Sequence, residues 1–180
     1  MKEKRRCEWV NPKNELYIKV HDDRKLFEML ILEGAQAGLS WETVLNKREN
    51  YKQAFDNFDA NKIIKYDENK FNELMNNAGI IRNKLKIRAT ILNAQKFLEV
   101  QKEFGTFDKY IWSFVNHKPI ENSFEKLSDL PAKTEISDLM SKDLKKRGFK
   151  FIGSTICYAF MQGVGMVNDH VKECFRYKEV

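Results

Sequence analysis

The segment from Asn83 to Phe104 contains neither glycine nor proline, and Ile87, Ile91, Ala94 and Leu98 recur along it with a helical period. Strands are typically about five or six residues long, so a breaker-free stretch of this length reads as one long helix, ended by Gly105. The rest of the chain repeats the pattern. Asp23–Ala37 places Leu26, Phe27, Leu30 and Ala37 on one stripe, and Glu42–Phe58 does the same with Val44, Tyr51, Phe55 and Phe58. A short helical turn is expected near Asn61–Tyr66, then a helix in "DENKFNELMNN" capped by Asp67. Two more are expected at Glu135–Arg147 and Ser154–Val164, with a short apolar piece "FDKYIWSFV" and a looser stretch from Pro119 to Pro131 before them. Only eight glycines and three prolines punctuate 180 residues, and no stretch alternates with a period of two. The expected fold is all-α, in one domain spanning residues 1–180.

Charge narrows the class of partner. The formal net charge is +6, concentrated in "KEKRR" at the start, "RNKLKIR" at 82–88 and "KKRGFK" at 145–150. A basic balance favours a polyanion such as nucleic acid, although the total alone is a weak signal. "NNAGIIRNKLKI" and "KKRGFKFIGSTI" each place a glycine-containing hairpin between helical segments and flank it with cations. Such helix–hairpin–helix units can offer backbone N–H groups and a helix start to a phosphate, which makes Lys150 and Ser154 candidate DNA contacts. The competing reading is an ordinary turn with solvated cations. No apolar run is long enough to cross a bilayer, and the basic N-terminus lacks the apolar segment of a signal peptide, so a cytoplasmic protein is expected.

Three cysteines without an export signal argue against a disulfide framework. Cys157 reads as a small buried hydrophobe. Cys174 stands four residues after His170 in "NDHVKEC", a spacing that puts thiolate and imidazole on one face of a helix. Cys7 and His21 are available as two further donors, and a Cys₂His₂ set suits tetrahedral zinc. The Cys7–His21 spacing is not that of a zinc finger, and isolated residues of these types are more often bystanders than ligands.

The stretch "ILEGAQAGLSW" poses a separate problem. Glu33 closes an apolar run, and a buried acid costs free energy unless something pairs with it. Gly34 and Gly38 allow a backbone or a flat ligand to come close. The ordinary alternative is a surface glutamate near a helix end.

Taken together, "RCEWV", "ELYIKVHD", "LFEMLILEGAQAGLSWETVLNKRENYKQAF", "GIIRNKLKI", "YIWSFVNHKP" and "SKDLKKRGFKFIGSTICYAFMQGVGMVNDHVKEC" resemble the bacterial 3-methyladenine DNA glycosylase I family over nearly the whole chain. The resemblance implies a helix–hairpin–helix fold with a structural zinc joining the two ends of the chain, held by Cys7, His21, His170 and Cys174. It implies a monomeric repair hydrolase that flips N3-methylated adenine out of duplex DNA and cleaves its glycosidic bond. Glu33 would be the catalytic and base-binding acid, with Trp41, Gly38 and Trp9 lining the pocket. "VNDHV" places Asn168 where many related glycosylases carry a catalytic Asp, so a monofunctional enzyme without lyase chemistry is implied. One departure stands out. The family usually has an additional loop with a Glu-Trp-Gly segment after its Tyr-His-Asp, whereas "IKVHDDRKLFEM" runs from Val20 directly into the helix. "HDD" also resembles the residues that follow that loop, leaving a second identity open for His21. A pocket lacking this wall gives an alternative expectation, a DNA-binding module of weak or absent activity.

Overall fold

The computed structural model describes residues 19–178. Its organising element is α1 (Asp23–Gln36), started by Asp22, whose carboxylate accepts the Lys25 amide. From Leu26 to Ala35 every residue of α1 is buried, so its sequence lacks a polar face for solvent. The helix is enclosed by α2 (Trp41–Leu45), α6 (Lys84–Phe104), α7 (Phe107–Ser113) and α9 (Ser154–Gly163). Phe27 meets Phe97 of α6 with ring centroids 4.8 Å apart, and Phe97 meets Phe107 of α7 at 4.7 Å. Aromatic pairs at these distances contribute about 0.5–1.5 kcal/mol beyond the area they bury.

The first turn of α1 also organises α7. The Asp23 carboxylate accepts the Phe107 and Asp108 amides at 2.8 Å each and the Gln101 amide at 2.6 Å. The Phe107 and Asp108 amides open α7 and would otherwise lack intrahelical partners. Glu28, also buried, is paired with Arg48 of α3 (Arg48–Ala54) at 2.6 Å.

The expected helix at Glu42–Phe58 is divided. It breaks after α2 and again after α3, where Asp56, Asn57 and Phe58 all have φ near +50°. Three successive left-handed residues reverse the chain and cannot continue a right-handed helix. Asp59 then caps the short α4 (Ala60–Ile63), and Asp67 caps α5 (Glu68–Asn76) as its sequence suggests. Asn83 caps α6, and Gly105 ends it with φ +86°. The "FDKYIWSFV" piece is α7, capped by Thr106. After it, β1 (Ile120–Glu121) pairs in parallel with β2 (Val167–Asn168), a two-residue ladder too short to leave an alternating pattern. Thr134 caps α8 (Glu135–Lys146), which packs closely on α9 through the hairpin at 147–153. The fold is mostly helical, as the periodicity suggests.

Candidate functional site

Glu33 lies on α1 at 4% exposure, and nothing among the described residues hydrogen-bonds to its carboxyl group. Desolvation alone raises its pKa from 4.5 to about 8. The acid is therefore mostly protonated at neutral pH until something supplies positive charge. Opposite it stands Gly163, the last residue of α9. A Cβ there would lie in ordinary contact, 3.7 Å, with Glu33 Oε1 but only 2.8 Å from Met29 Cε, so the glycine makes room for the Met29 methyl beside the acid. On the neighbouring face, Gly34 meets Phe151, whose Cβ and carbonyl oxygen would each be 3.2 Å from an added Cβ. Gly38 is different. It is exposed with φ +78°, and no described atom would come within 4 Å of a Cβ. Its glycine serves the turn between α1 and α2.

Trp41 opens α2 behind Ser40, whose hydroxyl caps the Thr43 amide. The Trp41 side chain, Trp9 and Cys7 lie outside the described part of the structure. Beside Gly34 there is a small cavity of about 20 Å³, room for about one water, bordered by Ile31, Tyr51, Lys86, Asn93 and Phe151.

The hairpin between α8 and α9 carries the candidate DNA contacts. Gly148 and Phe151 hold left-handed φ values of +97° and +55°. Asn93 of α6 clamps the turn by accepting from the Lys150 amide and donating to its carbonyl. The Lys150 side chain is exposed and has no partner among the described residues. Gly153 provides no side-chain cap for α9, leaving first-turn amides available to an anion. The Ser154 hydroxyl donates to Asp138, so that acid competes with any phosphate arriving there.

At the C-terminal end, His170 and Cys174 are both buried, with Cys174 Sγ 3.4 Å from His170 Nδ1. A turn, rather than the helix their spacing suggests, brings them together, with Cys174 N donating to Val171 O. Zinc bonds of about 2.3 Å to sulfur and about 2.0 Å to nitrogen at a tetrahedral angle separate the two donors by about 3.5 Å. The pair fits that chelate. His21 occupies another setting. Its side chain is half-exposed, Nδ1 is 2.7 Å from Asp108 Oδ1, and its ring stacks on Trp112 at 4.5 Å. Among the described residues no three of His, Cys, Asp and Glu gather into a group that could hold a metal ion. Asp169 between the strands and these donors is buried and fully engaged, accepting from Tyr158, Gln162 and Asn122.

A buried acid with no hydrogen-bond partner among the described residues, a basic hairpin and a paired thiol and imidazole thus share one small helical fold. The chain matches the methyladenine glycosylase family over residues 13–177. It belongs to that family. The DNA-3-methyladenine glycosylase of Haemophilus influenzae is 49% identical to it over 178 aligned positions, covering 94% of this chain and 96% of the relative. The DNA-3-methyladenine glycosylase 1 of Escherichia coli is also 49% identical, over 96% of each. A crystal structure of a 3-methyladenine DNA glycosylase I superposes with a TM-score of 0.90 at 46% identity, covering 95% of this chain and 98% of that one. The H. influenzae alignment has 178 positions but uses only 94% of 180 residues, so some positions of this methyladenine glycosylase relative have no counterpart here. No helix among the described residues is long and apolar enough to cross a membrane.

Reasoning from sequence missed three contributors to this glycosylase site. Gly163 makes room for Met29 beside Glu33, Asn93 fixes the hairpin, and Lys86 grips the end of α1. Lys86 was legible only as one cation of "RNKLKIR", and Asn93 only as a polar residue among apolar ones.

Proposed function

We propose that the chain is a DNA-3-methyladenine glycosylase that hydrolyses the N-glycosidic bond of N3-methylated adenine in alkylated duplex DNA. The observation that carries this reading is Glu33, a buried carboxyl group with no hydrogen-bond partner among the described residues, in a chain that belongs to the methyladenine glycosylase family. A purine within a duplex is out of reach, so the nucleotide must be turned out of the stack. N3-methylation makes the base cationic. Its arrival beside Glu33 favours the carboxylate, which replaces water around the ring, accepts hydrogen bonds from its edge and discriminates against neutral adenine.

Trp41 and Trp9 are proposed to stack on the extruded base, each such contact being worth about 1–3 kcal/mol, while Gly38 lets the wall turn sharply. The base leaves as a neutral molecule, so little push is needed, and positioning supplies much of the acceleration. A water takes the place of the base on the sugar. No lysine forms a Schiff base and no strand is cut. Lys150 and Ser154 are proposed to hold the DNA backbone at the start of α9.

Structural zinc is proposed at Cys7, His170 and Cys174, with His21 as fourth ligand. Its Nδ1–Asp108 contact would orient the ring and leave Nε2 for the metal. The ion would tie the two ends of the chain together and contribute directly to folding. We assign the protein to one domain and to action as a monomer in the bacterial cytoplasm.

A second reading has its own observation. Val20 donates to Val164 O and accepts from Trp112 Nε1, and three residues later the chain is already in α1. A pocket bounded this way can recognise damaged DNA with little catalysis. Release of free 3-methyladenine from methylated duplex DNA, with Glu33→Gln alongside, tests both. Release that collapses in the variant supports the enzyme; a folded chain that binds duplex and releases nothing supports the binding module.

A further inference from the structure

The last turn of α1 contains no basic residue, although its terminal carbonyls point away from any continuing helix. Lys86, in the first turn of α6, supplies the missing cation. Its ammonium donates to Ala35 O at 2.8 Å and to Ala37 O at 2.7 Å. Bonds from a charged donor are roughly twice as strong as neutral ones, and positive charge suits this end of a helix.

The segment it grips leads directly to the pocket rim. Leu39 N donates to Gln36 O at 2.7 Å and Gln36 Nε2 donates to Leu39 O at 3.0 Å, so the turn through Gly38 fixes its own shape. Those bonds are internal and do not fix where the turn sits. Lys86 ties it to α6. Arg82 before α6 and Lys84 at its first position are exposed cations that phosphate can reach, Lys84 also lying within electrostatic reach of Glu68.

We propose that Lys86 is a positioning residue for base excision, holding the Gly38–Trp41 segment against the DNA-facing start of α6 so that the pocket rim keeps its place when DNA binds. Lys86 acts through Ala35 and Ala37 and needs no contact with substrate. The inference rests on the glycosylase reading.

The test compares the unaltered chain with Lys86→Met and Lys86→Arg in three measurements: thermal midpoint, affinity for duplex DNA across salt concentrations, and single-turnover release of 3-methyladenine at saturating enzyme. Misplacing a catalytic segment by about 1 Å costs on the order of 100-fold, so Lys86→Met should slow release by about 10- to 100-fold. Its duplex affinity and salt slope should stay close to those of the unaltered chain, and Lys86→Arg, still a charged donor, should recover most of the rate. Unchanged release by Lys86→Met overturns the assignment. So does a loss of duplex affinity with a flatter salt slope, which would make Lys86 a phosphate contact. If Lys86→Met does not fold, Lys86→Gln carries the same comparison: slow release from folded protein supports the role and full release overturns it. No release by the unaltered chain overturns the glycosylase reading and this inference with it; equal release by the unaltered chain and the variant overturns this inference alone.

Discussion

The Asn93 side chain holds both polar groups of the Lys150 backbone, accepting from its amide at 2.8 Å and donating to its carbonyl at 2.9 Å. One buried amide on α6 thereby mimics a strand partner for the hairpin that opens α9. Replacing it with leucine, similar in size but unable to pair, leaves both groups unsatisfied. The expected loss is about 1–3 kcal/mol in denaturant unfolding, together with weaker duplex binding. Unchanged stability and affinity in Asn93→Leu would mean that the hairpin is held by other contacts.

Glu33 should make stability and activity depend on pH in opposite directions. Below about pH 4.5 the acid is neutral in both folded and unfolded chains. As pH rises from 4.5 to about 8, the unfolded chain releases a proton that the folded chain retains, so stability falls through that window. Glu33→Gln lacks this dependence, and its advantage in thermal midpoint should grow across the same interval. The kcat/KM for 3-methyladenine release should instead rise toward about pH 8 as the carboxylate forms, and should be low and flat in the variant. A flat profile for the unaltered chain would remove ionisation of Glu33 from the reaction.

Lys150 is exposed in the hairpin that leads into α9, a helix whose start has no side-chain cap. Lys150→Ala should weaken binding to all duplexes alike and reduce the slope of log affinity against log salt by about 1. Ser154→Ala should have a smaller effect, because its hydroxyl already serves Asp138. A changed preference for methylated over unmethylated DNA, at constant slope, would place Lys150 nearer the base than the backbone.

Zinc content separates the ligands. Cys174→Ala should abolish stoichiometric zinc and lower the thermal midpoint by several degrees, since one ligand of a structural site is lost. His21→Ala is the sharper measurement. Loss of metal would confirm the fourth ligand, whereas full metal content with a small stability change would confine His21 to its contacts with Asp108 and Trp112.

Local pattern carried most of the helical layout. The bounds of α1, α5, α6, α8 and α9 follow from stripes and caps that lie within each segment, such as Asp67 before α5 and Gly105 after α6. The end of α3 at Ala54, inside the expected Glu42–Phe58 helix, did not show, because left-handed φ at Asp56 to Phe58 leaves no mark on apolar spacing. Glu33 stood out as a local anomaly, an acid within an apolar run. Lys86 and Gly163 did not, because their roles depend on residues far away in sequence, Ala35 and Ala37 for one and Met29 for the other. The hairpin cations were visible as charge, and the amide that aligns them was not.

The helix that presents the acid begins by serving α7 through Asp23 and ends in the grip of Lys86. Both of its ends are thus anchored in other elements, and its middle has no solvent-facing side. Amide protons in the middle of α1 should therefore exchange with solvent only when the whole molecule opens, making Glu33 part of the slowest-exchanging core. Proteins usually keep their chemistry on the parts that open easily. Here the carboxyl group proposed to choose the base stays with the last structure to melt.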